Sequence, residues 1–93
     1  MTIRVLSFDW DEHNLNHIEM HPDHPVQKDA VEELFLSGRF KVRKARNVRY
    51  IAYGQNLDGH YLAVVFENKG AGKIRPISAR PMEQWEKKLF KRK

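Results

Sequence analysis

Between Arg39 and Ala79 the chain has room for little except strands. Arg39 to Lys44 sets Phe40 and Val42 between Arg39, Lys41 and Arg43. That period of two suits a half-buried strand. Val48 to Gln55 is rich in aromatic and β-branched residues, and His60 to Glu67 is the most apolar segment, which predicts a central strand. Lys73 to Ala79 reads as the last strand. Asn56 to Gly59 predicts a hairpin with Asp58-Gly59 at its tip, and Asn68 to Gly72 predicts a flexible turn. Connections this short join antiparallel neighbours, so the middle of the chain dictates an antiparallel sheet. Pro76 has no N–H to give to a ladder, which predicts an edge or a bulge there.

The flanks read as helices. Ile3 to Phe8 alternates and predicts a short first strand. Asp9, with Glu12 three residues on, predicts an N-cap for a helix from about Trp10 to Met20 or His21. His21-Pro22-Asp23-His24-Pro25 breaks it. A second helix is expected from near Pro25, burying Val26, Ala30, Val31, Leu34 and Phe35, with Ser37-Gly38 as its end. Pro81 predicts the start of a last helix with Met82, Trp85 and Leu89 buried and Phe90 extending that face. Lys87, Lys88, Lys91, Arg92 and Lys93 load its C-terminal end. The order is β-α-α-β-β-β-β-α, an α+β fold with an antiparallel sheet packed by helices. At 93 residues, one domain over residues 1–93 is expected.

Composition narrows the chemistry. There are no cysteines, which excludes disulfides, thiol nucleophiles and thiolate metal sites. No apolar run is long enough to cross a bilayer, and the opening residues lack a leader pattern. A cytoplasmic protein without a membrane partner is expected. A net charge of +5 favours an anionic partner. Arg39, Lys41 and Arg43 share one strand face, with Lys44, Arg46 and Arg49 close in sequence. Such a row suits RNA phosphates, and Tyr50, Tyr53 and Tyr61 could stack on bases. It also suits a solvated face that deters edge pairing. Arg75 and Arg80 could each fork onto a phosphate; equally, they could pair with Glu83 or Glu86 and hold the last helix.

The first helix carries an odd stripe. Trp10, Asn14, His17, Ile18 and His21 fall at steps of three and four, so an anchor is followed by polar and titratable groups. Imidazoles suit proton transfer near neutral pH, and RNA cleavage without a metal needs such a base and acid beside cations. Alternatively, one histidine caps a carbonyl and the others are exposed. The spacing of His13, His17 and His21 also admits a zinc site completed by Asp23 or His24, although the glutamate of zinc peptidases is absent between the first pair.

Several of these segments together resemble the BrnT family of type II toxins. They are Trp10-Asp11, Asn14, His17-Ile18, His21, Val31-Glu32-Glu33 with Phe35, Arg49-Tyr50 with Gly54, Asp58-Gly59 before Tyr61-Leu62, and Ile77 to Arg80 followed by Glu86. The resemblance runs from Phe8 to Phe90. It implies a RelE-like fold and a small ribonuclease that inhibits translation; with the charge and the histidine stripe above, a metal-independent endoribonuclease that needs no cofactor is expected. It also implies neutralisation by a cognate antitoxin, usually a ribbon-helix-helix DNA-binding protein. Carried over, it makes His17, His21, Arg49 and Arg80 the catalytic candidates, with Trp10, Asn14 and Glu86 supporting. RNA contacts are expected from Arg39, Lys41, Arg43, Lys44, Arg46, Arg75, Lys87 and Lys88. The chain departs from the family pattern in the lengthened loop after His21, which makes His24 a competitor for that position, and in Phe90 where a tyrosine is common.

Overall fold

The computed structural model describes residues 4–91. Ile3, Arg92 and Lys93, named above in the first strand and the basic tail, lie outside them. The elements are β1 (Ser7–Phe8), α1 (Glu12–Glu19), α2 (Lys28–Leu36), β2 (Phe40–Lys44), β3 (Arg49–Gln55), β4 (Tyr61–Gly70), β5 (Lys73–Pro81) and α3 (Gln84–Lys91). They follow the expected α+β order. The five strands lie in the order β1-β5-β4-β3-β2. The long strands pair antiparallel, whereas β1 pairs parallel with β5 through Ser7 and Phe8.

The register sorts side chains onto two faces. Val42, Ala52, Val64 and Ala79 stand opposite one another across four strands. They meet Ile18 of α1 and Val31, Leu34 and Phe35 of α2 in the core. The alternate row is Lys41, Tyr53, Ala63 and Arg80, on the face that α3 crosses. Gly54 lets α2 approach β3 closely. A Cβ there would lie 2.8 Å from the Arg39 carbonyl oxygen and 3.0 Å from Leu34 Cγ. Because the first obstacle is backbone, Gly54→Ala is expected to destabilise the domain by about 1–3 kcal/mol. Urea melts should show a lower midpoint with an unchanged slope.

Several boundaries differ from the sequence expectation, each for a physical reason. The α1 cap is Asp11, not Asp9. Asp11 Oδ1 accepts from the Asn14 N–H (3.0 Å), and Asn14 Oδ1 accepts from the Asp11 N–H (2.8 Å), a reciprocal pair that Asp9 lacks. Trp10 therefore precedes the helix, where its indole Nε1–H donates to Glu32 of α2 (2.8 Å). His21 also falls outside the helix. The expected common stripe divides: Asn14 and Ile18 are buried, and His17 is exposed.

α2 begins at Lys28, leaving Val26 buried ahead of it, and Gly38 follows with a left-handed φ of +73°. The second sheet turn is tighter than expected. β4 runs to Gly70, and Ala71 and Gly72 form the tip, both with positive φ as a primed hairpin turn requires. β5 continues through Pro81, so α3 starts only at Gln84. The expected buried face of α3 is corrected as well. Met82 is buried, but Trp85 is 50% exposed and Leu89 47%, while Glu86 is the buried residue of the helix.

Candidate active site

Pro76 signals two devices at once. It lies beyond the short pairing with β1, so β5 is an edge there, and the β4–β5 register shifts between Val65 and Phe66. Ser78 pairs with Val65 and Pro76 with Phe66, which leaves Ile77 as the extra residue of a bulge. Arg75 and Arg80 are five residues apart, and a regular strand would send them to opposite faces. The bulge restores parity. Arg75 stands opposite Glu67 and Arg80 opposite Ala63, both on the face that α3 crosses.

On that face a pocket of about 300 Å³ is lined by His13 and His17 from α1, Arg49 from β3, Glu67 from β4 and Arg75 from β5. Asn14 and Ile77 complete its wall. Asn14 is buried and fully engaged: its Nδ2 donates to the carbonyls of Asp9 (2.9 Å) and Pro76 (2.8 Å). It fastens α1 to the outer edge of β5 and so sets where His17 stands. Arg75 strengthens the same junction through Asp11 (2.9 Å) and Asp9 (3.4 Å). The Asn14 backbone N–H and Arg75 together hold the Asp11 carboxyl below its usual range, and hydrogen bonding to Asp11 raises the pKa of Arg75.

Across the pocket Glu67 lies between Lys69 (3.3 Å) and Arg49 (3.5 Å). The Lys69 hydrogen bond is the main reason its carboxyl titrates below the usual range. The Arg49 side chain is 51% exposed and meets Glu67 through Nε.

Three imidazoles gather beside the pocket. His17 packs edge-on to His21 at 5.9 Å, and His21 stacks on His24 at 3.8 Å with the rings 11° apart. His21 Nδ1 accepts from the backbone N–H groups of Asp23 (3.2 Å) and His24 (3.4 Å). Nδ1 of His24 lies 3.2 Å from the carbonyl oxygen of Ala79, an acceptor that calls for a proton on that nitrogen. Among the described residues no three His, Asp or Glu side chains are placed to share a metal ion.

Arg80 sits apart from this pocket. Its two terminal nitrogens reach Glu86 Oε1 (2.6 Å) and Oε2 (2.7 Å), and Glu86 also accepts from the Glu83 N–H (2.9 Å). The Arg80 hydrogen bonds outweigh burial and hold the Glu86 carboxyl below its usual range. A depressed folded-state pKa contributes stability above the unfolded value of about 4.3, and that contribution disappears as pH falls through the folded value. Thermal melts are therefore expected to lose stability on acidification below about pH 4, and a Glu86→Gln variant should lose less over the same interval.

The other cations are dispersed. Arg39 lies just ahead of β2, and Arg39, Arg43 and Arg46 are exposed. Lys41 approaches the ring of Phe90 (5.7 Å), and Lys44 donates to the Asn47 carbonyl beside Tyr50. Lys87 lies over Tyr61 (5.7 Å), and Lys88 is exposed. Tyr50 stacks on Phe66 on the core face, which removes it from the expected set of base-stacking rings. Glu67 is the pocket residue that sequence reading passed over. Counting outward from the Asp58-Gly59 tip would have put it within a residue of Arg49.

A family model described as the ribonuclease toxin BrnT of type II toxin-antitoxin systems matches residues 10–86. The chain belongs to the BrnT family. The crystal structure of the Brucella abortus ribonuclease toxin BrnT is similar, with a TM-score of 0.64, 26% identity, and coverage of 89% of this chain and 100% of that one. No curated protein sequence matches. The BrnT match extends from Trp10 through Glu86 and so includes every residue of the pocket.

Proposed function

We propose that this chain is a metal-independent endoribonuclease toxin that arrests translation by cutting RNA in the cytoplasm. The observation that carries the reading is the convergence of His17, Arg49, Glu67 and Arg75 on one pocket of a strongly basic, BrnT-family chain. The reaction needs few parts. The ribose 2′-oxygen attacks phosphorus, its proton passes to a base, the bond to the 5′-oxygen breaks, and an acid protonates that oxygen. Of the three proton-transfer groups that line the pocket, His13, His17 and Glu67, the reading assigns base and acid to His17 and Glu67, and Arg49 meets the charge that develops on the phosphoryl oxygens. Arg75 and Asn14 act as positioning residues, since their bonds hold α1 against β5. Trp10 supports the same arrangement through Glu32.

In this reading His21 acts behind His17 through ring contact, and Arg80 acts through Glu86 by holding α3 on the sheet. Arg39, Lys41, Arg43, Lys44 and Arg46 on one side, with Lys87 and Lys88 on the other, supply a cationic approach for the RNA backbone. The partner is a cognate antitoxin, taken to be a ribbon-helix-helix DNA-binding protein.

Induced expression should stop amino-acid incorporation within minutes and leave mRNA fragments ending in 2′,3′-cyclic phosphate. Continued incorporation with intact mRNA, from soluble folded protein, would count against the proposal. A second reading, a binding module without catalysis, draws on the engagement of Arg80 with Glu86 and of His21 Nδ1 with backbone N–H groups. It calls for salt-sensitive RNA binding with no cleavage.

A further inference from the structure

α3 leaves two large apolar side chains half-exposed one turn apart, Trp85 and Leu89. They form one wall of a groove of about 230 Å³, with Tyr53 at its floor and Lys41 and Arg43 at its rim. We propose that this groove is the docking site of the antitoxin, which enters it with an acidic segment carrying large apolar side chains. The inference rests on the toxin–antitoxin reading above and adds to it the surface and the chemistry of the partner.

The groove's own chemistry selects that occupant. Exposed apolar groups beside a concave floor mark an interaction surface, and tryptophan is among the side chains that most often dominate binding energy. The polar groups beneath are engaged with one another: Glu86 accepts from both Arg80 and the Glu83 N–H, and the Tyr53 phenol, its pKa raised chiefly by burial, faces Glu86. A nucleobase entering here would find little to satisfy its polar edges. A leucine or phenylalanine would need nothing from those groups. The cationic rim favours carboxylates beside that apolar anchor. A second copy of this chain would bring the same Lys41 and Arg43 and a net charge of +5 to the contact, and like charge opposes it.

The position also explains neutralisation. The groove and the His17–Arg49 pocket occupy the same sheet face, separated by the row Arg43, Ile51, Val65 and Ser78. A segment seated against α3 therefore covers part of the cationic approach that RNA needs.

The test is the double variant Trp85→Ser/Leu89→Ser, at positions already half in water, compared with wild type by melting, by titration with the cognate antitoxin and by RNA cleavage. Antitoxin affinity should fall by at least about thirtyfold, while cleavage keeps the wild-type rate and the melting temperature stays close. Unchanged antitoxin affinity in the folded variant would overturn the proposal. So would lost cleavage with antitoxin binding intact, which would assign the groove to RNA, or a wild-type dimer abolished by the variant with antitoxin affinity unchanged. Because binding is read without cleavage, an inactive wild type that still binds antitoxin through Trp85 and Leu89 would support this inference while refuting the nuclease reading.

Discussion

Arg80→Ala is expected to destabilise the domain by about 3 kcal/mol at neutral pH. The reason is what the change leaves behind. Glu86 is 2% exposed, and without the guanidinium its carboxylate would keep the Glu83 N–H and the Tyr53 phenol, both neutral donors, and no cation bonded to it. Breaking a buried pair from one side costs roughly 3–5 kcal/mol, and the low end applies because the Arg80 side chain is itself 39% exposed. In a domain of this size that is a fall in melting temperature of roughly 12–24 °C. Arg80→Lys should recover little, since one ammonium cannot bond both carboxylate oxygens in the fork geometry. The difference between variant and wild type should shrink as pH falls through the depressed folded-state value of Glu86, below which the carboxyl is neutral in both. A variant within about 0.5 kcal/mol of wild type, the range of ordinary surface changes, would show that the pair contributes nothing.

His17→Ala and Arg49→Ala are each expected to lower RNA cleavage by about 10²- to 10³-fold while leaving the melting temperature nearly unchanged. Both side chains are exposed, and the long Arg49–Glu67 contact (3.5 Å) joins strands that their backbones already pair. That separates them from Arg80, whose loss is expected to reduce activity by loosening α3. The two should also differ in kind. Arg49→Ala should weaken the salt dependence of RNA binding, whereas His17→Ala should leave binding intact and flatten the pH–rate profile. Equal cleavage by wild type and His17→Ala would move the proton transfer to Glu67 and another group.

Much of the fold was legible because period-two patterns and turn residues are local signals. Phe40 and Val42 point one way, Lys41 and Arg43 the other, and the pairing with Ala52 and Tyr53 follows. The boundaries that moved were set by distant contacts. Asp9 and Asp11 are both plausible caps, and the choice went to the one that Asn14 can reciprocate while Trp10 reaches Glu32, 22 residues away. Trp85 and Leu89 have the spacing of a buried stripe. Yet Arg80 draws Glu86 inward instead, an outcome of charge pairing that hydrophobic periodicity cannot register.

The candidate site was legible in its residue types more than in its grouping. Residue patterns singled out His17 and Arg49 separately, the family resemblance grouped them with His21 and Arg80, and the sheet register with the α1–β5 fastening by Asn14 brings these two, without Arg80, to one pocket. Arg75 joins them through the bulge at Ile77. Pro76 announced an irregularity there, but the resulting change of face needs the partner strand to be seen.

Whether the chain cuts RNA without a metal is decided by incubating purified wild-type protein with an end-labelled single-stranded RNA in the presence of EDTA. The expected products are fragments ending in 2′,3′-cyclic phosphate, formed as fast as without chelator and absent with a His17→Ala/Arg49→Ala protein that melts like wild type. RNA left intact by the folded wild-type protein, or cleavage that EDTA abolishes, would contradict the proposed metal-independent cleavage.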